Sequence, residues 1–354
     1  MKKKVLHVIN SLYAGGAETL LVNSLAAGGL QEHTDNTVVY FQGTSELENK
    51  IDKRINCYSL NYKGFLSLPG ALIKLRKIIK DKKIDIVHSH LNPAGFYTHL
   101  ICPVPHIHTL HTTYSKNTET TAVKLFLEKE LFFKKKNCNL ILLSPFIKED
   151  FLKAVSFRGK AFVLNNFVED SFFKPAAAVY HVNSKALKII AVGRLSKVKN
   201  FDYLLEVFAH LKDADIQLDI YGAGDIEKYK QQIKKSGIKI NMMGHHHNLS
   251  DVLGNYNLFI MPSVFEGFPL SLFEAMASGI PLMLSDIAPL KSIVKEHAIY
   301  FSLHDAAAAA NSIRQIANGE IDINSMAVCA QEFAVKTAKR DLYIKSLLHI
   351  YSQL

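Results

Sequence analysis

Residues 261–281 read MPSVFEGFPLSLFEAMASGIP, and this stretch decides the fold class. An apolar run ends at Met261 and is followed by a loop, by a helix with Pro269 near its first position, and by Gly279, after which a second apolar run begins. A strand, a helix and a second strand in this order are typical of a parallel α/β sheet. Glu266 lies in the loop after the first strand, where open parallel sheets bind their ligands.

The same alternation of short β-branched runs with longer amphipathic stretches extends through the whole chain. It predicts two doubly wound parallel sheets. At roughly 150 residues per domain, a chain of 354 residues is long enough for two domains. The predicted strands are Lys4 to Ile9, Thr37 to Phe41, Ile55 to Leu60, Ile84 to His88, His106 to Leu110, Asn139 to Leu143, Ala161 to Leu164, Lys188 to Val192, Ile216 to Tyr221, Ile238 to Met243, Leu258 to Met261, Pro281 to Ser285 and Ile299 to Phe301.

A change of pattern at residues 172–178 marks the domain boundary. Pro175 and a run of alanines interrupt the alternation there, as interdomain linkers do. We therefore expect an N-terminal domain over residues 1–172 and a C-terminal domain over 173–339. Residues 340–354 are predicted to form a final helix, able to pack back on the N-terminal domain, because apolar residues recur at helical spacing.

Composition excludes several classes of protein. With 48% apolar and 21% charged residues the chain is a folded globular protein. Its four cysteines form no Cys-x-x-Cys pair, so neither a zinc ribbon nor a disulfide framework is encoded, which fits a reducing cytoplasmic setting. The apolar run after the first lysines is too short for a signal peptide, and no segment reaches the roughly 18 apolar residues of a membrane span. Any membrane contact should therefore be peripheral.

The net charge of +10 is concentrated in the first half, where residues 1–172 contain 23 Lys and Arg against 15 Asp and Glu. Residues 67–83 and 125–136 combine lysines with apolar side chains, and Phe133 precedes three lysines at 134–136. Basic amphipathic faces with exposed Phe rings suit an anionic membrane, but a packed apolar stripe beneath solvated lysines is the alternative. Nothing resembles a recognition helix or an aromatic stacking platform, so no nucleic acid partner is expected.

Two carboxylates, Glu266 and Glu274, are separated by seven residues in the opening stretch. They are suited to binding sugar hydroxyls, while free amides in the turn between them reach the oxygens of a phosphorylated ligand. The alternative is a pair of solvated acids. The amides belong to Gly267, Phe268 and Leu270, which flank Pro269.

Around these glutamates, the text EGFPLSLFEAMASGIP resembles that of the family 4 glycosyltransferases, and the resemblance covers nearly the whole chain. It implies the GT-B fold, in which two Rossmann-like domains face each other across a cleft. It also implies a retaining enzyme that transfers a hexosyl or N-acetylhexosaminyl unit from a UDP-sugar. The implied acceptor is a glycan or a polyprenyl-linked saccharide of surface polysaccharide biosynthesis.

Arg194 and Lys199 resemble the family's pair of cations on the nucleotide diphosphate. A bidentate Arg and a Lys can stabilise the charge of the leaving group without metal, although a solvated loop pair is the alternative. His111, in the segment Thr109-Leu110-His111, is similar to the family histidine beside the donor sugar, the alternative being a core or surface histidine.

Two further turns match the family. Gly15 and Gly16 resemble the loop that closes over the diphosphate, although a tight turn between strand and helix explains them equally well. Gly244, His245 and His246 resemble the loop along the nucleotide base. Residues 165–168, Asn-Asn-Phe-Val, depart from the family's Pro-Asn-Gly-Val, with Asn165 in place of the Pro and Phe167 in place of the Gly.

Neither of the two metal-like patterns is expected to bind a metal ion. The adjacent histidines at 245–247 lack helical spacing and a carboxylate partner. Asp213 and Asp215 precede a strand instead of following one. The sequence therefore predicts a metal-independent enzyme that needs no cofactor.

Two other functions compete with glycosyl transfer. A sugar-nucleotide epimerase or a phosphorylase can be built on the same architecture, but it needs a different acid/base set or a lysine-bound pyridoxal phosphate. A non-enzymatic basic binding protein is the second competitor.

Overall fold

The computed structural model describes residues 2–354 apart from 14, 44, 112–132, 134–137, 175–186 and 247. It divides into unit 1, residues Met1–Phe167 with Arg340–Leu354, and unit 2, residues Val168–Lys339. Each unit is built on a parallel sheet. The predicted class, α/β with two Rossmann-like doubly wound domains, is confirmed.

The first crossing between the units lies five residues before the predicted boundary at 172. Phe167 is buried in the core of unit 1, where its ring packs 4.9 Å from that of Tyr343. Val168 is buried in the core of unit 2, and its amide donates to the carbonyl of Ala338 at 2.8 Å. Adjacent side chains therefore enter different cores, and Phe167, which stands where the family has Gly, is a core residue.

The sheet of unit 1 is made of short, mostly buried strands connected by helices. Its described strands are β1 (Lys4–Ile9), β2 (Asp35–Tyr40), β3 (Asn56–Ser59), β4 (Ile86–His90), β5 (His106–Leu110), β6 (Cys138–Leu142) and β7 (Ala161–Val163). They lie in the order β3-β2-β1-β4-β5-β6-β7. The described helices before the first crossing are α1 (Gly16–Ser24), α2 (Leu68–Asp81), α3 (Ala94–Ile101) and α4 (Pro145–Ala154).

Both faces of the unit 1 sheet are covered, as its apolar strands require. Along β1, Leu6 and Val8 pack in one apolar cluster, while Val5 and Ile9 pack in the other. His7 lies between Val5 and Ile9 on the second face and is also buried. A polar ring at this position needs internal hydrogen-bond partners.

The sheet of unit 2 repeats the plan. Its strands are β8 (Leu187–Val192), β9 (Ile216–Tyr221), β10 (Ile240–Gly244), β11 (Leu258–Met261), β12 (Leu282–Ser285) and β13 (Ile299–Phe301), in the order β10-β9-β8-β11-β12-β13. The helices described for this unit are α5 (Phe201–Ala209), α6 (Ile226–Ser236), α7 (Leu249–Val252), α8 (Leu270–Ala277), α9 (Ala288–Val294), α10 (Ala306–Ala317) and α11 (Asn324–Thr337).

The last helix, α12 (Arg340–Ser352), belongs to unit 1 although it follows unit 2 in the sequence. Its buried side chains lie in the same cluster as Val5 and Ile9 of β1. The Lys3 ammonium also donates to the carbonyl of Tyr351 at 2.6 Å. The buried residues of α12 are Tyr343, Ile344, Leu347, Ile350 and Tyr351.

Strand order reverses at one place in each sheet, between β1 and β4 in unit 1 and between β8 and β11 in unit 2. Open α/β sheets bind ligands at the carboxyl ends of the strands that flank such a reversal. The loops after these four strands are therefore the first places to look for function. Among the described helices, none is both long enough and apolar enough to cross a membrane.

Candidate functional site

In unit 2, two loops leave the reversal point together. One follows β8 over residues 193–200, and the other follows β11 over residues 262–269. They are joined by a backbone hydrogen bond from the amide of Val264 to the carbonyl of Val198, at 2.9 Å. The loop that contains Glu266 and the loop that contains the predicted cations Arg194 and Lys199 therefore lie side by side.

Lys199 and Glu266 form the central contact between these loops. The Lys199 ammonium lies 2.6 Å from Glu266 Oε1, and the two side chains are 20% and 9% exposed. The hydroxyl of Ser263 donates to the same oxygen at 2.5 Å. Because Oε2 accepts no hydrogen bond from the described residues, it is left for a ligand.

Arg194 lies in the same loop as Lys199 and is exposed. Its guanidinium forms no hydrogen bond or ion pair with the part of the chain that the structure describes. A guanidinium presents five N–H donors in a planar fork that matches phosphate oxygens. Arg194 therefore remains available for an anionic ligand.

The turn between Glu266 and α8 supplies backbone donors. The amides of Gly267, Phe268 and Leu270 donate no hydrogen bond within the described residues. Pro269 precedes the first residue of α8, and its carbonyl accepts from the amide of Leu272 at 3.1 Å. Unpaired amides at a helix N-terminus attract anions.

Glu274 lies one turn into α8 and is partly buried. Loss of hydration raises the pKa of its carboxyl to about 7, and the negative charge of Glu169 contributes. Its oxygens accept no hydrogen bond from the described residues. Partly desolvated and unpaired, this carboxylate gains from any ligand that donates hydroxyl hydrogens to it.

The loop after β10 lies at the same end of the sheet. The carbonyl of Gly244 accepts a hydrogen bond from the amide of Gly222 at 2.8 Å. Gly244 has φ 77°, a left-handed backbone conformation that favours glycine. His245 and His246 are exposed. The ring of His246 meets that of Tyr221 edge-on at 5.8 Å, while residue 247 lies outside the described residues.

In unit 1, the loop after β1 leads into α1 through Gly15 and Gly16. The carbonyl of Gly15 accepts from the amide of Thr19 at 2.9 Å, and burial raises the pKa of the nearby Glu18 carboxyl. The loop is tied across the reversal point, since the Asn10 amide donates to the carbonyl of Asn92 at 2.8 Å. This turn is built as predicted, and its role toward a diphosphate stays a prediction.

His111 follows directly after β5 and is partly buried. Burial lowers the pKa of its imidazole to about 4, so the ring is neutral at physiological pH. Its Nε2 is buried without a hydrogen-bond partner among the described residues. A neutral ring with an unused nitrogen can accept or donate one hydrogen bond to a ligand.

Sequence reasoning missed the other buried histidines of unit 1. Within the described residues, two clusters could hold a metal ion: His7, His88 and His90, and His99, His106 and Cys138. The sequence signal that could have revealed the first cluster is the spacing His88-x-His90, which places both rings on one face of a strand. Asp213 and Asp215, by contrast, are exposed and pair with Arg314 and Lys239, as a solvated turn should.

The predicted membrane segments fare differently. In α2, Leu75 and Ile79 are buried in the core, so the stripe expected at a membrane is packed. Phe133 is fully buried beside Phe151 at 4.9 Å, which corrects its prediction as an exposed ring. Lys134, Lys135 and Lys136 lie outside the described residues.

Exposed apolar residues occur instead at the start of α2. Phe65 is 81% exposed, Leu66 96% and Ile73 72%. Lys77 and Lys80 follow Ile73 at helical spacing and are also exposed. This surface, formed by Phe65, Leu66, Ile73, Lys77 and Lys80, is called the α2 tip below.

Two family models together span most of the chain. Residues 14–172 match the model described as Glycosyltransferase Family 4, and residues 174–332 match Glycosyl transferases group 1. The chain belongs to the family 4 glycosyltransferases and is a transferase with the GT-B fold.

Individual relatives agree with this assignment. The chain is 27% identical over 277 residues, 71% of each chain, to an Escherichia coli protein named UDP-Gal:alpha-D-GlcNAc-diphosphoundecaprenol alpha-1,3-galactosyltransferase. Its fold is similar to that of a glycosyltransferase from Rickettsia africae, with TM-score 0.83 and 19% identity over 99% of this chain and 98% of the other. Anabaena HepE, solved with UDP and glucose, gives TM-score 0.83 and 16% identity over 99% and 100%.

Proposed function

We propose that this glycosyltransferase is a retaining enzyme that transfers a hexosyl or N-acetylhexosaminyl unit from a UDP-sugar to a glycan or polyprenyl-linked saccharide. The observation that carries the proposal is the Lys199–Glu266 pair, held at the reversal point of unit 2 beside an unpaired Arg194. Cations suited to a diphosphate and a carboxylate suited to sugar hydroxyls lie in two joined loops, which supports the proposal.

The names of similar proteins support the choice of substrates. The Escherichia coli relative is named for a UDP-galactose donor and a diphosphoundecaprenol-linked acceptor, and the Anabaena protein was solved with UDP and glucose. A nucleoside diphosphate can be bound by cations and amide donors at its phosphates and by an acceptor for its ribose hydroxyls. Unit 2 offers all three within two loops and one helix.

In the proposed reaction, the bond between the sugar's anomeric carbon and the diphosphate oxygen breaks, and its electron pair stays on the diphosphate. The acceptor oxygen bonds to the same face of the anomeric carbon. The acceptor proton passes to the departing phosphate oxygen, so the charge balances. Arg194 and Lys199 stabilise the charge that grows on the diphosphate, where preorganised donors are most effective.

Each remaining group has one task in this scheme. Glu266 Oε2 accepts from a hydroxyl of the donor sugar, while Glu274 accepts from the ribose. The amides of Gly267, Phe268 and Leu270 bind donor oxygens, and the loop at Gly244, His245 and His246 lies along the base. For unit 1 we propose that the neutral imidazole of His111 orients the reacting centre and that Gly15 and Gly16 bind the diphosphate.

Transfer is proposed to need no divalent ion, because Arg194 and Lys199 supply the positive charge. Full activity in EDTA supports this. Loss of activity in EDTA with rescue by manganese contradicts it.

We also propose a cytoplasmic enzyme that docks peripherally on the inner face of the cell membrane through the α2 tip. Its apolar side chains suit insertion among lipid headgroups, and its lysines suit an anionic surface. A Phe65→Ser/Leu66→Ser variant should bind vesicles containing anionic phosphatidylglycerol at least tenfold more weakly, since each buried apolar side chain contributes about 1.5 to 3 kcal/mol. The control is Val328→Ser, an exposed valine of unit 2. Equal binding by both variants contradicts the docking surface.

The central test compares two cations of one loop. A thermal-shift screen of nucleotide sugars identifies the donor, because a ligand that binds the native state raises its melting temperature. Arg194→Ala should then lower turnover about 100-fold or more, the scale of one lost transition-state donor. Lys197→Ala removes an exposed cation from the same loop and should leave turnover unchanged. Equal effects of both variants on turnover contradict the diphosphate role of Arg194.

Conversion of the donor in the absence of an acceptor indicates an epimerase.

A further inference from the structure

The buried ring of His88 in β4 joins two distant parts of unit 1. Its Nδ1 lies 2.7 Å from the hydroxyl of Tyr351 in α12, and its Nε2 lies 2.7 Å from Oγ1 of Thr109 in β5. Residues 263 positions apart in sequence are thereby linked through one imidazole. A ring bonded at both nitrogens cannot turn over without breaking both hydrogen bonds.

Both hydrogen-bond partners of the His88 ring are hydroxyl groups. Burial raises the pKa of the Tyr351 hydroxyl and lowers that of the His88 imidazole, so both groups are neutral. Within the described residues neither the Tyr351 hydroxyl nor the Thr109 hydroxyl has another partner. A neutral imidazole donates from one nitrogen and accepts at the other, so one hydroxyl donates to the ring and the other accepts from it. The two contacts together hold the orientation of the His88 ring.

A metal ion would need the same nitrogens. Ligand atoms of His7, His88 and His90 lie within 4.8 Å of one another. Both nitrogens of His88 are already engaged at 2.7 Å, however, and His7 is hydrogen-bonded to Asn36 at 3.2 Å. The contacts therefore favour a hydrogen-bonded network over a metal site.

His88 is connected to His111 in two ways, through the side chain of Thr109 and through the ring of His90. Thr109, which His88 binds, is two residues before His111 at the end of β5. The ring of His88 also packs on that of His90, with centroids 4.1 Å apart, and His90 packs against His111 at 6.0 Å. His88 thus contacts the side chain of Thr109, two residues before His111, and the ring of His90, against which the His111 ring packs.

We propose that His88, held by Tyr351, is a positioning residue that sets the orientation of the His111 imidazole. The proposal rests on the proposed function in that His111 serves sugar transfer. Misplacing a reacting group by about 1 Å can cost a hundredfold in rate. Loss of either hydrogen bond of His88 should therefore lower kcat and leave donor binding intact.

The test uses full-length variants that remove one hydroxyl each. Tyr351→Phe and Thr109→Val should lower kcat about 10- to 100-fold with the donor KM within about twofold. Thr109→Ser retains the hydroxyl and should restore most of kcat. The matched control is Tyr343→Phe on the same helix, because the Tyr343 hydroxyl forms no hydrogen bond with the described residues. Equal kcat for Tyr351→Phe and Tyr343→Phe, or wild-type kcat in Thr109→Val, overturns the proposal.

A second readout does not need turnover. In protein labelled with 15N-histidine, the resonances of the His111 ring, assigned with His111→Gln, should shift in Tyr351→Phe and not in Tyr343→Phe. An unchanged His111 signal overturns the positioning role. A shifted signal in a protein that transfers no sugar supports the positioning role and contradicts the proposed function instead. If Tyr351→Phe fails to fold, the pair Thr109→Val and Thr109→Ser gives the same decision.

Discussion

Units 1 and 2 have parallel sheets with the same reversal of strand order, but they bury different chemistry. Unit 1 buries six histidines in and around its sheet, namely His7, His88, His90, His99, His106 and His108. The described histidines of unit 2 are exposed or half-buried. The paired charges of unit 2, Lys199 and Glu266, lie in loops at the carboxyl ends of its strands. One framework can thus carry polar groups either within the sheet or beyond its strand ends, with different consequences for stability.

The largest expected difference is in acid. Burial lowers the pKa of His7 to about 4 and of His108 to about 3. Below about pH 6.5 the unfolded chain takes up protons that folded unit 1 cannot, so its stability is full above 6.5 and falls toward pH 4. One such histidine costs up to about 3 kcal/mol at pH 4. Hydrogen exchange measured across this range should show unit 1 opening first; earlier opening of unit 2 would contradict the comparison.

The next effect concerns the charge pair of unit 2. Lys199→Met leaves the Glu266 carboxylate without its cation in a mostly buried setting and should destabilise unit 2 by about 2 to 3 kcal/mol. Adding Glu266→Gln to this variant should recover part of the loss. Urea denaturation of the single and double variants measures the coupling. Strict additivity would show that the two side chains do not stabilise each other.

A smaller effect, of opposite sign, is expected at Glu274. Its pKa is raised to about 7, so the folded state binds a proton more tightly than the unfolded chain and loses stability as pH rises from about 4.5 to 7. Glu274→Gln should therefore stabilise the protein at pH 8 by about 1 to 2 kcal/mol and have no effect below pH 4.5. It should also weaken binding of the nucleoside diphosphate. Calorimetry at the two pH values, with a nucleotide titration, checks both.

The smallest effect is expected at the surface of unit 2. Asp213→Asn removes an exposed ion pair with Arg314, and such pairs contribute little. The melting temperature and the turnover should match wild type in the presence and absence of EDTA. A loss of turnover would assign Asp213 to a metal site.

The sequence was sufficient to predict the two parallel sheets and the loop and helix that carry Glu266 and Glu274. β-branched runs of the right length predicted the strands, and the spacing of Glu266 and Glu274 predicted their loop and helix. The contact between Lys199 and Glu266 joins residues 67 positions apart, and no local pattern reveals it. The raised pKa of Glu274 likewise depends on burial in the fold and on the charge of Glu169, a residue of a distant segment.

One wrong prediction and one ambiguity of the sequence have the same kind of physical cause. Phe133 was predicted at the surface because lysines follow it, but burial is decided by Phe151 and Phe157, which lie later in the sequence. The stripe of α2 shows the same ambiguity, since apolar residues at helical spacing suit a core and a membrane equally. The sequence does not reveal that Phe65 and Leu66 are exposed, because exposure depends on how the rest of the fold packs around them.

The placement of α12 determines the order in which the two cores can be completed during synthesis. All residues of unit 2 are available once Lys339 has been added, whereas unit 1 still lacks the helix that covers Val5 and Ile9. Domains generally fold in order from the N-terminus as they leave the ribosome. Here the first unit to be translated is the last to be finished. At about 5 to 20 residues per second, its open apolar face waits roughly 10 to 35 s until α12 has been synthesised.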